Sequence, residues 1–298
     1  ELPQQKDGAI YHLNLHASEL ADNIILVGDP GRVQMISNMF DVIEVKKSNR
    51  ELITHTGLYK GKRVSAISTG MGTDNIDIVL NELDAVANID LSTREVKPGH
   101  RTLNMVRIGT SGGLQPDIEC GSFVASAYGF GIDGVLQFYD YGDWSDEGLG
   151  DAFVAHTDWE ARLPRGLVHP SPAQPTGNAR LPRPYCTPAS KELLDRIGHD
   201  MRQGITVSAP GFFGPQGRQV RAPLAFPELN RKIESFQHEG HLITNMEMEC
   251  SAIYGLGNVL GHNALTVCLI IANRVTGRFL DDYHDKMETL IRTVLDRI

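Results

Sequence analysis

The chain has 298 residues, enough to bury a sizeable apolar core, and its 41% hydrophobic and 22% charged residues are an ordinary soluble composition. No apolar run approaches the roughly 18–20 residues of a membrane span, and a formal net charge of −9 argues against a general nucleic-acid binder, because phosphate backbones are held by a surplus of Lys and Arg. Cys120, Cys186, Cys250 and Cys268 form no CxxC pair, so neither a zinc site nor a disulfide framework is expected, and a reducing, cytoplasmic setting is the default.

Residues 1–10 are polar, and order is expected to begin with Tyr11-His12-Leu13-Asn14-Leu15. Taken alone, His12 reads as a surface or packing histidine. A short buried-type strand at 24–27 runs into Gly28-Asp29-Pro30-Gly31-Arg32 and a helix, an order that can aim backbone N–H groups at an anion. A bare turn with a solvated Arg32 is the alternative. Arg50 reads locally as a surface charge. Strands at 52–58 and 63–68 flank a Gly61-Lys62 turn, and Thr69-Gly70-Met71-Gly72-Thr73 leads into a helix with Ile76, Val79, Leu80, Leu83 and Val86 on one face.

A polar loop at 90–101 delivers the chain to a strand at 103–108, where Arg107 sits among apolar residues. An arginine there is costly unless an anion meets it. The following Gly109-Thr110-Ser111-Gly112-Gly113 is expected to leave the backbone free for a ligand's close approach. A strand at 120–127 comes next. From 129 to 188, seven prolines and both tryptophans appear without clear periodicity, so this stretch reads as an irregular insertion, a lid or an oligomer contact.

Regular structure resumes with a helix at 189–202, a strand at 205–209, a turn from Gly211 to Arg218, and a helical stretch near 230. Glu247-Met248-Glu249 precedes an apolar helix, a strand at 264–272, and a last helix with Met287, Leu290, Ile291, Val294 and Leu295 on one face. Alternation of strands and helices indicates a layered α/β fold with a central sheet and no second domain.

Three motif matches are discounted. Gly109-x-Ser111-x-Gly113 fits a nucleophile elbow, but Pro116 and Gly121 deny it the helix it needs. Gly255-x-Gly257-x-x-x-Gly261 lies within or late in a helix rather than after a first strand, so it reads as helix packing. His238-Glu239-Gly240-His241 lacks the HExxH interval, and no metal is inferred from it.

A different group survives. Glu247 and Glu249 enter an apolar region, where vicinal ribose hydroxyls could supply the donors a buried carboxylate needs; a carboxylate at a helix N-terminus is the alternative. Phe212, Gln216 and Arg218 offer an aromatic face, an amide and a cationic fork, a set suited to a planar ring with carbonyl and N–H groups.

Gly28-Asp29-Pro30-x-Arg32, Thr69-Gly70-Met71-Gly72, Arg107-Ile108-Gly109-Thr110-Ser111-Gly112, Phe212 through Gln216-x-Arg218, Glu247-Met248-Glu249 and Asn273-Arg274, in this order, resemble the nucleoside phosphorylase family in its uridine-cleaving branch. The resemblance covers nearly the whole chain outside 129–188. It implies a three-layer α/β/α fold with a central mixed sheet, and phosphate-driven cleavage of uridine to uracil and ribose 1-phosphate.

By similarity, Gly28, Arg32, Arg107 and Thr110 would grip phosphate, joined by Arg50 from a neighbouring subunit. Glu249 and Met248 would hold the ribose, with the neighbour's His12 at the 5′-hydroxyl, and Phe212, Gln216 and Arg218 would bind the base. Arg218, Glu249 and Arg107 would carry the catalysis, in a homodimer or in a hexamer built as a trimer of dimers. No cofactor is implied, inorganic phosphate being a co-substrate. Relatives form a monovalent-cation site near Glu51, but the family's glycine-proline-serine after Gly72 is here Thr73-Asp74-Asn75, which counts against that site. The order Gly214-Pro215 before Gln216 is altered too. The alternatives are a purine phosphorylase, a nucleosidase using water, and a non-catalytic nucleoside-binding protein, the last disfavoured by Arg32, Arg50 and Arg107 together.

Overall fold

The computed structural model describes residues 2–159 and 182–298. Its first half contains β1 (Asn23–Val27), α1 (Pro30–Ser37), β2 (Val42–Asn49), β3 (Leu52–Tyr59), β4 (Lys62–Ser68), α2 (Thr73–Asn88), the hairpin β5 (Ile89–Asp90) and β6 (Glu95–Val96), β7 (Asn104–Gly113) and β8 (Phe123–Gly131). Its second half adds α3 (Glu147–Thr157), β9 (Tyr185–Pro188), α4 (Lys191–Ile197), β10 (Arg202–Ser208), α5 (Leu229–Glu234), β11 (Gln237–His238), β12 (His241–Glu247), α6 (Cys250–Val259), β13 (Asn263–Asn273), β14 (Arg278–Phe279) and α7 (His284–Arg297).

The main sheet runs β11-β12-β10-β8-β13-β7-β1-β4-β3-β2. It is mixed: β1 is parallel to β4 and β7, and β7 to β13, whereas β13 and β8 are antiparallel. β7 also pairs antiparallel with β12 through Met246↔Gly112 and Asn245↔Gly113. That pairing closes β12, β10, β8, β13 and β7 into a ring at one end of β7.

Alternation along β1 sorts its residues between two cores. Ile24 and Leu26 pack with the stripe Ile76, Val79, Leu80 and Leu83 of α2 and with Ile253 and Leu256 of α6. Ile25 and Val27 face the opposite layer, with Val33 and Ile36 of α1, Leu193 of α4, and Met287, Leu290, Ile291, Val294 and Leu295 of α7. Each such buried aliphatic side chain contributes about 1.5–3 kcal/mol, enough to fix helices on both faces. The result is the three-layer α/β/α arrangement expected. Gly255 sits where an added Cβ would lie 2.1 Å from Leu136 Cδ1, so its glycine serves helix packing.

Several expected boundaries move. The run 109–113 is not a free loop, because β7 continues through it, paired with β13 as far as Asn273 and with β12. The stretch 129–188 is not irregular throughout: its described residues hold the end of β8, the helix α3 capped by Asp146, and β9 paired with β8. Residues 160–181 of that stretch lie outside the described residues. The polar loop at 90–101 contains the β5–β6 hairpin, and the helix expected at 189–202 ends at Ile197.

Candidate active site

The carboxyl ends of β1, β4, β7, β12 and β13 open into one cavity of about 760 Å³, the position where open α/β sheets place ligands. Gly28, Arg32, Arg107, Thr110, Phe212, Gln216, Arg218, Met248 and Glu249, all expected from the sequence, line it. His12 and Arg50 do not.

At one end, Asp29 caps α1 by accepting from the Gly31 N–H at 2.8 Å, with Pro30 at the first helical position. This turn sets Arg32 over β7, where its Nη1 donates to the Ile108 carbonyl at 3.3 Å. Burial and the neighbouring Arg107 both lower the Arg32 pKa. Two guanidinium groups and the Thr110 side chain facing one space suit an anion.

Arg107 is 5% exposed and folds back over its own strand. An added Cβ on Gly109 would lie 1.9 Å from Arg107 Nη1, so only glycine admits this course. Nη2 pairs with a carboxylate oxygen of Glu249, and Nη1 lies 3.3 Å from Glu247 Oε2 and 3.7 Å from Cys268 Sγ. Burial alone would lower the Arg107 pKa, but Glu249 and Glu247 outweigh it and hold the charge in place. The residue expected to bind phosphate and the residue expected to bind ribose therefore pair with each other. Arg107 Nε is buried with no partner among the described residues.

The two carboxylates have different work. Glu247 ends β12 and accepts from Ser208 Oγ at 2.6 Å, the Glu249 N–H at 2.9 Å and the Cys250 N–H at 3.0 Å, so it holds the first turn of α6. Glu249 turns into the cavity, where its Oε1 accepts from the Gly72 N–H at 2.7 Å. Ser111, 5% exposed within β7, accepts from Asn245 Nδ2 at 2.8 Å. It has the surroundings of a packed strand residue rather than of a nucleophile.

The far end is built on the loop after β10. Arg218 Nη1 donates to the Phe212 carbonyl at 2.7 Å and to Gln216 Oε1 at 2.5 Å, and its guanidinium stacks 3.9 Å from the Phe212 ring centre. Burial and Arg274 lower the Arg218 pKa. Arg274 Nη2 donates to the Gln216 carbonyl at 2.5 Å, and Asn230 Nδ2 to the same oxygen at 2.7 Å. No described residue accepts from Gln216 Nε2, so an amide donor remains beside the cavity.

Sequence reasoning missed Glu247 as a partner of Arg107 and Arg274 as a brace of the base end. It also missed Met246 and Phe279, which line the cavity. Phe279 has no local signal in the sequence, whereas the alternation of Met246 and Met248 around Glu247 was a usable one. Glu51 and Asn75 line the cavity as well.

The segments that carry His12 and Arg50 are tied to each other, beside the cavity-lining Glu51. Asn49 Nδ2 donates to the carbonyls of Tyr11 at 3.1 Å and His12 at 2.9 Å, and Arg50 follows in the exposed β2–β3 turn with φ +54°. Away from the cavity, Asp84, His100 and His262 form a cluster. There His262 Nδ1 accepts from the Leu103 N–H at 3.2 Å and Nε2 faces Asp84 at 3.2 Å. With Nδ1 accepting, the neutral ring carries its proton on Nε2 and has no lone pair there for a metal.

A uridine phosphorylase of Thermococcus kodakarensis is 29% identical over 279 residues, covering 94% of this chain and 83% of that one. A DeoD-type purine nucleoside phosphorylase of Oceanobacillus iheyensis is 24% identical, covering 95% and 98%. The crystal structure of a Trypanosoma brucei nucleoside phosphorylase, described as showing uridine phosphorylase activity, superposes with a TM-score of 0.84 at 28% identity, covering 100% of this chain and 99% of that one. The profile of the phosphorylase superfamily matches residues 22–297, and with its three-layer fold the chain belongs to that superfamily.

Proposed function

We propose that this chain cleaves uridine with inorganic phosphate, giving uracil and ribose 1-phosphate, as a pentosyltransferase of pyrimidine salvage. The observation that carries the reading is one cavity lined by Arg32, Arg107 and Thr110, by Glu249, and by Gln216 and Arg218. A nucleoside and a phosphate need those three chemistries together.

Phosphate takes Arg32, Arg107, Thr110 and the Gly28 N–H. Glu249, released from Arg107, accepts from the ribose 2′- and 3′-hydroxyls beside Met248. Gln216 and Arg218 hold the uracil edge, with Phe212 against the ring. As the C1′–N1 bond lengthens, the sugar becomes cation-like and uracil gains negative charge; phosphate stabilises the first and Arg218 the second. No protein nucleophile is needed, no cofactor enters, and a monovalent cation near Glu51 is no part of the scheme. His12 and Arg50 complete the site from a neighbouring copy, so the active unit is at least a homodimer, with a trimer of dimers as the larger assembly. The chain acts as one domain, in the cytoplasm. Among the described residues no helix is long and apolar enough to cross a membrane.

The test is base release from uridine, inosine and adenosine with and without phosphate. Phosphate-dependent release from uridine alone is expected; release without phosphate would favour a nucleosidase, and preference for inosine or adenosine a purine phosphorylase. Arg218→Ala is expected to lower uridine turnover about 10²-fold or more, the scale for loss of a donor to a developing anion, with little change in phosphate affinity. Unchanged turnover would remove Arg218 from the mechanism.

A further inference from the structure

Glu82 sits on the buried side of α2, 7% exposed, between core residues Leu80 and Leu83. A carboxylate there is costly without converging donors. All of its donors among the described residues come from one dipeptide. The His12 N–H lies 3.0 and 2.9 Å from its two oxygens, the Leu13 N–H 2.8 Å from Oε2, and His12 Nδ1 2.6 Å from Oε1.

The segment around His12 is itself fixed. Ile10, Leu13 and Leu15 are at most 1% exposed, and Asn49 holds the carbonyls of Tyr11 and His12. The imidazole cannot turn without breaking its shortest contact. With Nδ1–H donated to Glu82, the neutral ring presents Nε2 as an acceptor. No described residue hydrogen-bonds to Nε2, and the side chain is 24% exposed. Anchoring the backbone would need only the two N–H bonds; the contact to Nδ1 also fixes the tautomer and direction of the ring.

We propose that Glu82 is a positioning residue for substrate choice: it aims His12 Nε2 outward to accept a hydrogen bond from the 5′-hydroxyl of a nucleoside bound in a neighbouring copy. The proposal rests on the reading of His12 given above, and it makes the 5′-hydroxyl a recognised group of the substrate.

The test compares kcat/KM for uridine and 5′-deoxyuridine, with phosphate, on the same preparations of wild type, Glu82→Gln, Glu82→Ala and His12→Ala. His12→Ala and Glu82→Ala are each expected to lose about tenfold on uridine, within the range for a displaced positioning group, and less than about twofold on 5′-deoxyuridine; Glu82→Gln falls between them and wild type. Because both substrates are read on one sample, any loss of folded or assembled protein cancels in the ratio. Nitrogen-15 spectra of histidine-labelled protein at pH 8, assigned by the signals missing in His12→Ala, are expected to show a protonated Nδ1 and a bare Nε2 in wild type. That pattern is expected to be lost in Glu82→Ala. If His12→Ala lowers the substrate ratio while both Glu82 variants leave it unchanged, the proposal is overturned, and a protonated Nε2 with a bare Nδ1 in the neutral wild-type ring overturns it equally. If His12→Ala also leaves the ratio unchanged, the reading of His12 itself fails.

Discussion

Glu247 and Glu249 share one guanidinium, so with both ionised this buried cluster would carry more negative than positive charge. Burial pushes the Glu247 carboxyl up to about 7 against the pull of Arg107, and the charge of Glu249 adds to the rise. Between the unfolded value of 4.5 and about 7 the folded chain then binds more protons than the unfolded one, and the stability this group supplies falls as pH rises through that window. Glu247→Gln cannot titrate. Denaturant melts should therefore show it less stable than wild type at pH 4.5, because it loses an acceptor at the start of α6, with the gap narrowing by up to about 3 kcal/mol towards pH 7. A gap that stays constant or widens over this window would show the carboxyl ionised throughout it. Both carboxylates and Arg107 are legible in the sequence as charges within apolar segments, which require partners. Their pairing with one another is not, because the β7–β12 register that juxtaposes them joins residues over a hundred positions apart. His12 and Arg50 carry no local signal of function at all; only the order of the other motifs makes them candidates.

Among the elements, the long periodic ones are legible and the short or two-sided ones are not. The apolar stripes of α2 and α7 repeat at helical spacing and are buried as expected. β2 escapes the eye because its outward residues after Val42 are polar and its inward ones only half buried, the mark of an edge strand. α3 and β9 are hidden by glycines and prolines around them. The loop bearing Gln216 and Arg218 is legible only as chemistry, since its shape depends on Gly217 at φ +66° and on Asn230, whose Nδ2 would lie 2.1 Å from an added Cβ. Gly217→Ala should strain the turn and push Asn230 off the Gln216 carbonyl, moving both base ligands together. The expected result is a rise of about tenfold or more in KM for uridine, with phosphate affinity within about twofold of wild type. A parallel loss of phosphate affinity would show that the loop supports the whole cavity rather than the base end.

For the whole molecule, the decisive feature is that two expected site residues, His12 and Arg50, lie on segments joined through Asn49 and are not among the residues that line the cavity of their own chain. If they serve a neighbour, each cavity draws Arg218 from one copy and Arg50 from another, and the two defects can complement. Arg50→Ala and Arg218→Ala, each alone, should be strongly impaired in uridine phosphorolysis. When equal amounts of the two are co-expressed and assemble at random into dimers with isologous interfaces, half of the dimers are mixed. Every mixed dimer holds one cavity with both defects and one with neither. Turnover should then recover to about a quarter of wild type, far above either variant by itself, and tandem purification on two different tags should raise it to about half. In a hexamer built at random from such dimers co-expression again gives about a quarter, but tandem purification leaves that value almost unchanged, because nearly every hexamer carries both tags. Failure to recover, in mixed dimers isolated on both tags, would mean that Arg50 acts within its own chain or not at all.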